Sequence, residues 1–318
     1  MSDYPTANDA ESSTPPETEK TDDLGGTVHE HCWNWKGKPL TLIYEVLGQG
    51  KPILLLPSLS SVSSRTEMRV LAEQLAHQYQ VFALDWVGFG DSSRSAIAYT
   101  PALFEACLRS FVQAVFSEPV VVIAAGHAAG YVMELAQKQP LPWQWIVLVC
   151  PTWRGPLPTA MGNYRSIYRV LQQLINLPVI GQFLYNLNTK PAFLKWMYRR
   201  HVFAEVDHIT PELIDRKWKT TQQRGARFAS AAFVTGGLDR VKTREAWFNW
   251  FQPLRVPVLM VVGENMPPKS RQEVEIIAHF SGVQVHRMPG SLGLHEEYPE
   301  QLAEGILPFL NKYLSRKR

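Results

Sequence analysis

Along this chain the apolar residues fall in short blocks whose spacing alternates between two periods. Ile53-Leu54-Leu55-Leu56, Val81 to Leu84, Val120 to Ala124, Ile146 to Val149 and Pro257 to Val262 are nearly continuous apolar runs. Runs of that length predict strands covered on both faces. Between them the spacing becomes helical. In Thr66 to Tyr79, residues Met68, Leu71, Ala72 and Leu75 share one stripe. Thr100-Pro101 opens a second helix that runs to about Phe116, with threonine as N-cap and proline in the first turn. Gly126 to Gln139 predicts a third. Upstream, Trp33 and Trp35 and then Leu40 to Val46 read as a hairpin turning through Lys36-Gly37-Lys38.

Strands alternating with helices at this spacing predict an α/β fold: a mostly parallel sheet covered by helices through right-handed crossovers. The alternation stops at Pro151 and resumes near Val256. The interval, including Tyr164 to Leu187 and Ala192 to Val202, is helical and aromatic-rich, which predicts an inserted helical cap. Ser270 to Phe280, Val283 to Arg287 and Pro299 to Leu314 then complete the pattern as helix, strand and closing helix. The expected organisation is an acidic leader over 1–26, a core over 27–150 and 241–318, and a cap over 151–240.

Composition changes this picture little. A chain of 318 residues, 45% hydrophobic and 19% charged, suits one large domain. Its net charge of +3 does not suggest a nucleic-acid partner. Cys32, Cys107 and Cys150 have no metal-ligand spacing. They are expected as reduced thiols packed like small hydrophobes, in a cytoplasmic protein with no metal and no cofactor. No apolar run approaches the roughly 18 residues a membrane span needs. The first 26 residues carry seven carboxylates against Lys20 alone, a composition expected to stay unfolded.

In such a sheet ligands bind beyond the carboxyl ends of the strands. The residues waiting there are Pro52 to Leu56, Phe82-Ala83-Leu84-Asp85-Trp86-Val87-Gly88-Phe89-Gly90-Asp91-Ser92, Ala125-Gly126-His127-Ala128-Ala129-Gly130-Tyr131, and His295-Glu296-Glu297-Tyr298-Pro299-Glu300. In that order and spacing the chain resembles the α/β-hydrolase superfamily from Trp33 to Leu314. Pro151 to Pro158 resembles a run in uncharacterised hydrolase-like proteins of cyanobacteria and plastids.

The resemblance implies a serine, an acid and a histidine at set places, and this chain departs at each. The family's G-x-S-x-G elbow needs small residues two before and two after the serine. Aligned on Ala125 and Ala129, the serine's place carries His127. Gly263-Glu264-Asn265-Met266-Pro267 puts Met266 where the acid belongs, and Leu292 or Gly293 stands for the histidine. Pro57-Ser58 replaces the His-Gly of the oxyanion loop. Hydrolysis through an acyl-serine needs nucleophile, base and acid in one hydrogen-bonded chain, so it is not expected.

His127 is the tentative catalytic residue. A strained, positive φ is expected there, because histidine tolerates it, with a neutral ring pointing into the pocket at a helix N-terminus. Two roles remain open: proton acceptor or ligand holder, and a plug in a vacated site. Ser58, Leu59, Trp86, Ala128, Trp153, Arg154, Met266, Leu292 and His295 are expected to line an apolar pocket. Arg154 has the fork to clamp a carboxylate or phosphate. Glu264 is an alternative partner for His127. Asp85 and Asp91 are expected as structural, and His295 to Glu297 as a polar cap on the last helix. The leading expectation is a non-hydrolytic module binding an apolar small molecule or a protein partner under a lid. An enzyme of hydrolase or lyase type using His127 as general base is the alternative. A third is peripheral membrane docking through the cap, where Phe193 to His201 mixes aromatic and basic side chains.

Overall fold

The computed structural model describes residues 23–315 except Asn163, Arg165 and Ser166. Eight strands form one sheet: β1 (Thr27–Trp35), β2 (Lys38–Leu47), β3 (Lys51–Leu56), β4 (Tyr79–Leu84), β5 (Val120–Ala125), β6 (Trp143–Val149), β7 (Val258–Gly263) and β8 (Val283–Met288), in the order β1-β2-β4-β3-β5-β6-β7-β8. β1, β2 and β4 pair antiparallel, and everything from β4 through β8 is parallel. The hairpin between β1 and β2 turns on Lys36 and Gly37, both at positive φ. The central strands β5 and β7 are buried along their whole length, as their unbroken apolar runs require.

The chain doubles back once as it crosses the sheet. From β3 the chain steps to β4 through α1 (Arg69–Ala76), then crosses back over β3 to β5 through α2 (Pro101–Val115). Right-handed crossovers made in opposite directions place their helices on opposite faces. Accordingly α2 packs on the helix after β5, α3 (Ala128–Leu135), whereas α1 packs on the closing helix, α13 (Pro299–Ser315). Thr100 caps α2 by accepting from the Leu103 amide. Such a reversal leaves a crevice at the carboxyl ends of β3 and β5, the position where open α/β sheets bind ligands.

Between β6 and β7 the chain inserts α4 (Pro156–Met161), α5 (Ile167–Asn176), α6 (Pro178–Asn188), α7 (Pro191–Met197), α8 (Pro211–Gln222), α9 (Ala226–Val234) and α10 (Arg244–Phe248). The stretch expected as one segment from Tyr164 to Leu187 is divided because Pro178 cannot continue a helix. The helix expected over Ser270 to Phe280 is α11 (Pro268–Ala278), and a short α12 (Leu294–Glu297) precedes α13.

Three expectations are corrected here. Most of the acidic leader lies outside the described residues, but its end is part of the core: Leu24 is buried, and the amides of Leu24 and Gly26 donate to the Glu45 carboxylate. The helix expected to reach Tyr79 stops at Ala76, and Tyr79 already belongs to β4. Cys32 is exposed on the edge strand β1, while Cys107 and Cys150 are buried; all three are free thiols.

Candidate functional site

At the crevice β3, β5 and β6 end side by side, with Leu56 opposite Ala124 and Ala125 opposite Val149. The chain leaves β5 through a sharp bend, and the bend is at Gly126, φ +51. His127 has an ordinary helical backbone, φ −71, and forms the N-cap of α3. The expected strained histidine is therefore corrected by one residue. Glycine takes the left-handed conformation at little cost, so the strain settles there. Around Gly126 the residues two before and two after are Ala124 and Ala128, both small and fully buried. The bend is pinned by Gly126 donating to the Val149 carbonyl and accepting from the Thr152 amide. A Cβ added to Gly126 would meet Ser58 Cβ at 3.2 Å. At the strand-to-helix turn there is thus no side chain.

The His127 ring is 3% exposed and turns away from the bend toward the end of the helical insertion. Its Nε2 lies 3.4 Å from both the Leu238 carbonyl and Asp239 Oδ1, and the Phe233 ring meets it edge-on. Nδ1 has no hydrogen-bond partner. Burial pushes the imidazole's pKa below its ordinary value, against the nearby Asp239 carboxylate. The neutral ring expected from sequence is thus favoured, with burial as the main cause. Its carboxylate neighbour is Asp239, while Glu264 is exposed on a turn after β7. Asp239 also accepts from the Gly155 amide at 2.9 Å and the Tyr164 hydroxyl at 2.6 Å. This cluster fastens α3 to both ends of the insertion.

A second buried cluster lies across the crevice. Ser58 Oγ donates to Glu67 Oε2 at 3.2 Å, and His295 Nε2 stands 3.4 Å from the same oxygen. Lys217, from α8, lies 3.4 Å from Glu67 Oε1 and 2.7 Å from Glu296 Oε1. Lys217 holds the Glu67 carboxyl below its usual range despite full burial, and the two glutamates raise the Lys217 ammonium above its own. The carboxylate stands between hydroxyl and imidazole, so His295 has no contact through which to take the Ser58 proton. His295 is thereby corrected from a polar cap to a buried partner of Glu67, and its Nδ1 has no partner. Glu297 accepts from the Ala204 and Glu205 amides of the insertion and not from the last helix.

The remaining expected pocket residues are mostly packed away. Trp86 is fully buried, donates Nε1–H to the Pro57 carbonyl and lies against Phe104 and Tyr131. Leu59, Ala128 and Met266 are buried, and Leu292 packs half-buried on the core. Trp153 Nε1 donates to Glu273 Oε2 at 2.5 Å, and Arg154 pairs with Glu273 Oε1 at 2.9 Å. Arg154 is therefore already engaged by a carboxylate of α11. Two cavities are outlined elsewhere: about 310 Å³ between α7 and α8, and about 610 Å³ along α11, the second touching Met266. Neither reaches His127, Trp86 or Trp153.

Cys150 follows β6 with φ +45 and bears a thiol. Burial pushes its thiol up to about 12, and Sγ donates to the Ser291 carbonyl. It is a thiol at neutral pH and therefore a poor nucleophile. Asp85 and Asp91 are held in ion pairs: Arg65 reaches Asp85, Asp91 and Glu45 at 2.5, 2.7 and 3.0 Å. Among the described residues no group of three or more His, Cys, Asp or Glu has metal-holding geometry. No helix among them is long and apolar enough to cross a membrane.

Glu67, Lys217, Asp239 and Glu273 were not expected at the site. Each lies among other charges in its own segment with nothing to single it out, and the fold brings it to a distant partner.

Compared with known proteins, residues 53–304 match the Alpha/beta hydrolase family. No curated protein matches in sequence. Among solved structures, an esterase from Thermogutta terrifontis is similar at 17% identity and a TM-score of 0.69, covering 90% of this chain and 98% of that one. A probable hydrolytic enzyme from Pseudomonas aeruginosa PAO1 is similar at 18% and 0.70, covering 91% and 95%. The haloalkane dehalogenase DatA from Agrobacterium tumefaciens C58 is similar at 17% and 0.69, covering 91% and 98%. At these identities the likeness is one of fold.

Proposed function

The chain belongs to the alpha/beta hydrolase family, and within it we propose a non-hydrolytic member, a binding module that has lost the acyl-serine machinery. The observation that carries this reading is the bare strand-to-helix turn. That turn presents the nucleophile in the family's elbow, and here Gly126 occupies it at φ +51. The residues around it are committed to other work. Ser58 donates its hydrogen bond to Glu67, His127 faces Asp239, and Met266 stands where an acid is usual. The run Pro151 to Pro158 supports placing the chain beside the hydrolase-like proteins of cyanobacteria and plastids. In this reading the helices between β6 and β7 are a cap. Two polar clasps, at Asp239 and at Lys217, hold it shut. Its opening admits an apolar small molecule or a protein segment to the crevice of β3 and β5.

Incubation with a fluorophosphonate probe tests the reading. No adduct on intact-mass analysis and no turnover of p-nitrophenyl esters are expected; stoichiometric labelling of any serine overturns it.

One observation favours an enzyme instead. His127 Nδ1 is buried without a partner on a ring kept neutral, the state a general base requires. This reading expects His127→Asn to abolish a proton-transfer reaction while the melting temperature stays within a few degrees.

A further inference from the structure

The outer face of the helical insertion is apolar where a surface helix is normally polar. On α5, Tyr168 and Ile175 turn inward and are buried, while Ile167, Val170 and Leu174 share the opposite, exposed stripe. On α6, Gly181 lies against the Ile175 backbone, where a Cβ would overlap the carbonyl oxygen, so the two helices pack closely. That contact leaves Val179, Ile180 and Phe183 outward, 80%, 53% and 64% exposed. The two stripes belong to adjacent helices and make one exposed apolar hairpin. Amphipathic surface helices point such a stripe at the core; contiguous apolar patches left outside mark a docking surface.

The charge around the hairpin identifies what docks. The whole chain is nearly balanced, with 32 Lys and Arg against 29 Asp and Glu. From Pro156 to Val202 there is no Asp or Glu at all, while Arg165, Arg169, Lys190, Lys195, Arg199 and Arg200 are present. Lys190, Lys195, Arg199 and Arg200 are exposed, and so is Trp196 between them, 53% accessible and tilted against Phe193. An apolar face followed in the chain by cations and an amphipathic indole, with no anion between Pro156 and Val202, matches the headgroup region of an anionic bilayer, the exposed Glu212 and Asp215 belonging to the neighbouring α8. A protein partner or a second copy of this chain requires no such one-sided charge.

We propose that α5 and α6 dock this protein on an anionic lipid surface, Ile167, Val170, Leu174, Val179, Ile180 and Phe183 entering the interface and the Lys and Arg side chains of α7 and the turn after it meeting the headgroups. The docking residues are not those that line the crevice of β3 and β5, so vesicle binding is read without a crevice ligand.

The full chain is floated with vesicles of phosphatidylcholine alone and of phosphatidylcholine with one quarter phosphatidylglycerol. Binding to the anionic vesicles is expected, reduced severalfold between 50 and 500 mM salt. Val179→Asp with Phe183→Asp, both at exposed positions, is expected to weaken it about tenfold with an unchanged melting temperature. Lys195→Glu with Arg199→Glu is expected to do the same. Sedimentation velocity is run on the same samples. No binding to anionic vesicles overturns the proposal. Equal binding to both vesicles, or a dimer that Phe183→Asp dissociates and vesicles leave intact, also overturns it.

Discussion

The His127 imidazole and the Asp239 carboxylate stand 3.4 Å apart in the interior, joining the first turn of α3 to the end of the helical insertion. Lys242 also faces the ring electrostatically and opposes its protonation. Burial outweighs Asp239, so the folded imidazole titrates below its ordinary value of 6.5. The unfolded chain then binds this proton first, and stability depends on pH accordingly. His127's contribution is complete above about 6.5 and is lost as pH falls from there through the folded value. Urea unfolding at pH 8 and pH 5.5 is expected to show a smaller difference for His127→Phe than for the native chain. An unchanged difference would mean that the ring accepts its proton inside the fold.

Asp239 holds more than the histidine. It accepts from the Gly155 amide and the Tyr164 hydroxyl, so Asp239→Leu leaves the buried amide unpaired and the half-buried hydroxyl with only its longer bond to the Val241 carbonyl. A loss of roughly 2–4 kcal/mol is expected from this change. Asp239→Asn keeps one carbonyl oxygen as acceptor and is expected to lose less than half as much. Thermal and urea denaturation of the two variants check the ratio.

A hydroxyl placed at the bend is expected not to give hydrolysis. Gly126→Ser puts a side chain at φ +51 and a Cβ 3.2 Å from Ser58 Cβ, which costs about 1 kcal/mol. No imidazole faces that point, because His127 turns to Asp239 and His295 to Glu67. The variant is expected to fold and to remain unlabelled by fluorophosphonate. Labelling of Gly126→Ser alone would show that a base reaches the bend.

The sheet was legible in the sequence because burial on both faces leaves one mark, an unbroken apolar run, and β3, β5 and β7 each carry it. The elbow was legible only as a region. Ala124, Ala125, Gly126, Ala128, Ala129 and Gly130 are all small, so more than one register satisfies the spacing, and the one aligned on Ala125 and Ala129 selects His127. Backbone strain decides between registers, and it favours glycine. The buried ion pairs left no mark. Glu67 and Lys217 are 150 positions apart, each in a segment that reads as an ordinary amphipathic helix. Trp153 and Arg154 follow β6, and the partner Glu273 is 119 residues on from Arg154, a distance no local pattern spans.

Arg65 serves Glu45, Asp85 and Asp91 with one guanidinium, and the first two carboxylates have no exposure. Removing that cation leaves buried charges uncompensated, a change worth about 3–5 kcal/mol. Arg65→Leu is expected to be insoluble or to melt far below the native chain. Arg65→Lys keeps the charge but lacks the fork that reaches Nε and Nη1 partners together, so intermediate stability is expected.

The second clasp is separable from the core because only one of its members lies on the insertion. Lys217 of α8 reaches Glu67 and Glu296, both outside it. Lys217→Met leaves Glu67 buried beside Glu296 without a cation, at a cost of roughly 3–5 kcal/mol. That cost falls on the insertion's attachment first, so trypsin is expected to cut within residues 156–222 of Lys217→Met well before the sheet unfolds. The pH limits follow from the shifts. Glu67 titrates below its ordinary 4.5, so its share is complete above about 4.5 and is lost as pH falls through the folded value. Lys217 titrates above its ordinary 10.5, so its share is complete below about 10.5 and is lost as pH rises through the folded value. Protease protection of the insertion is therefore expected to be flat between those limits and to fall outside them. Protection that declines steadily between pH 6 and 9 would place the clasp on some other titrating group.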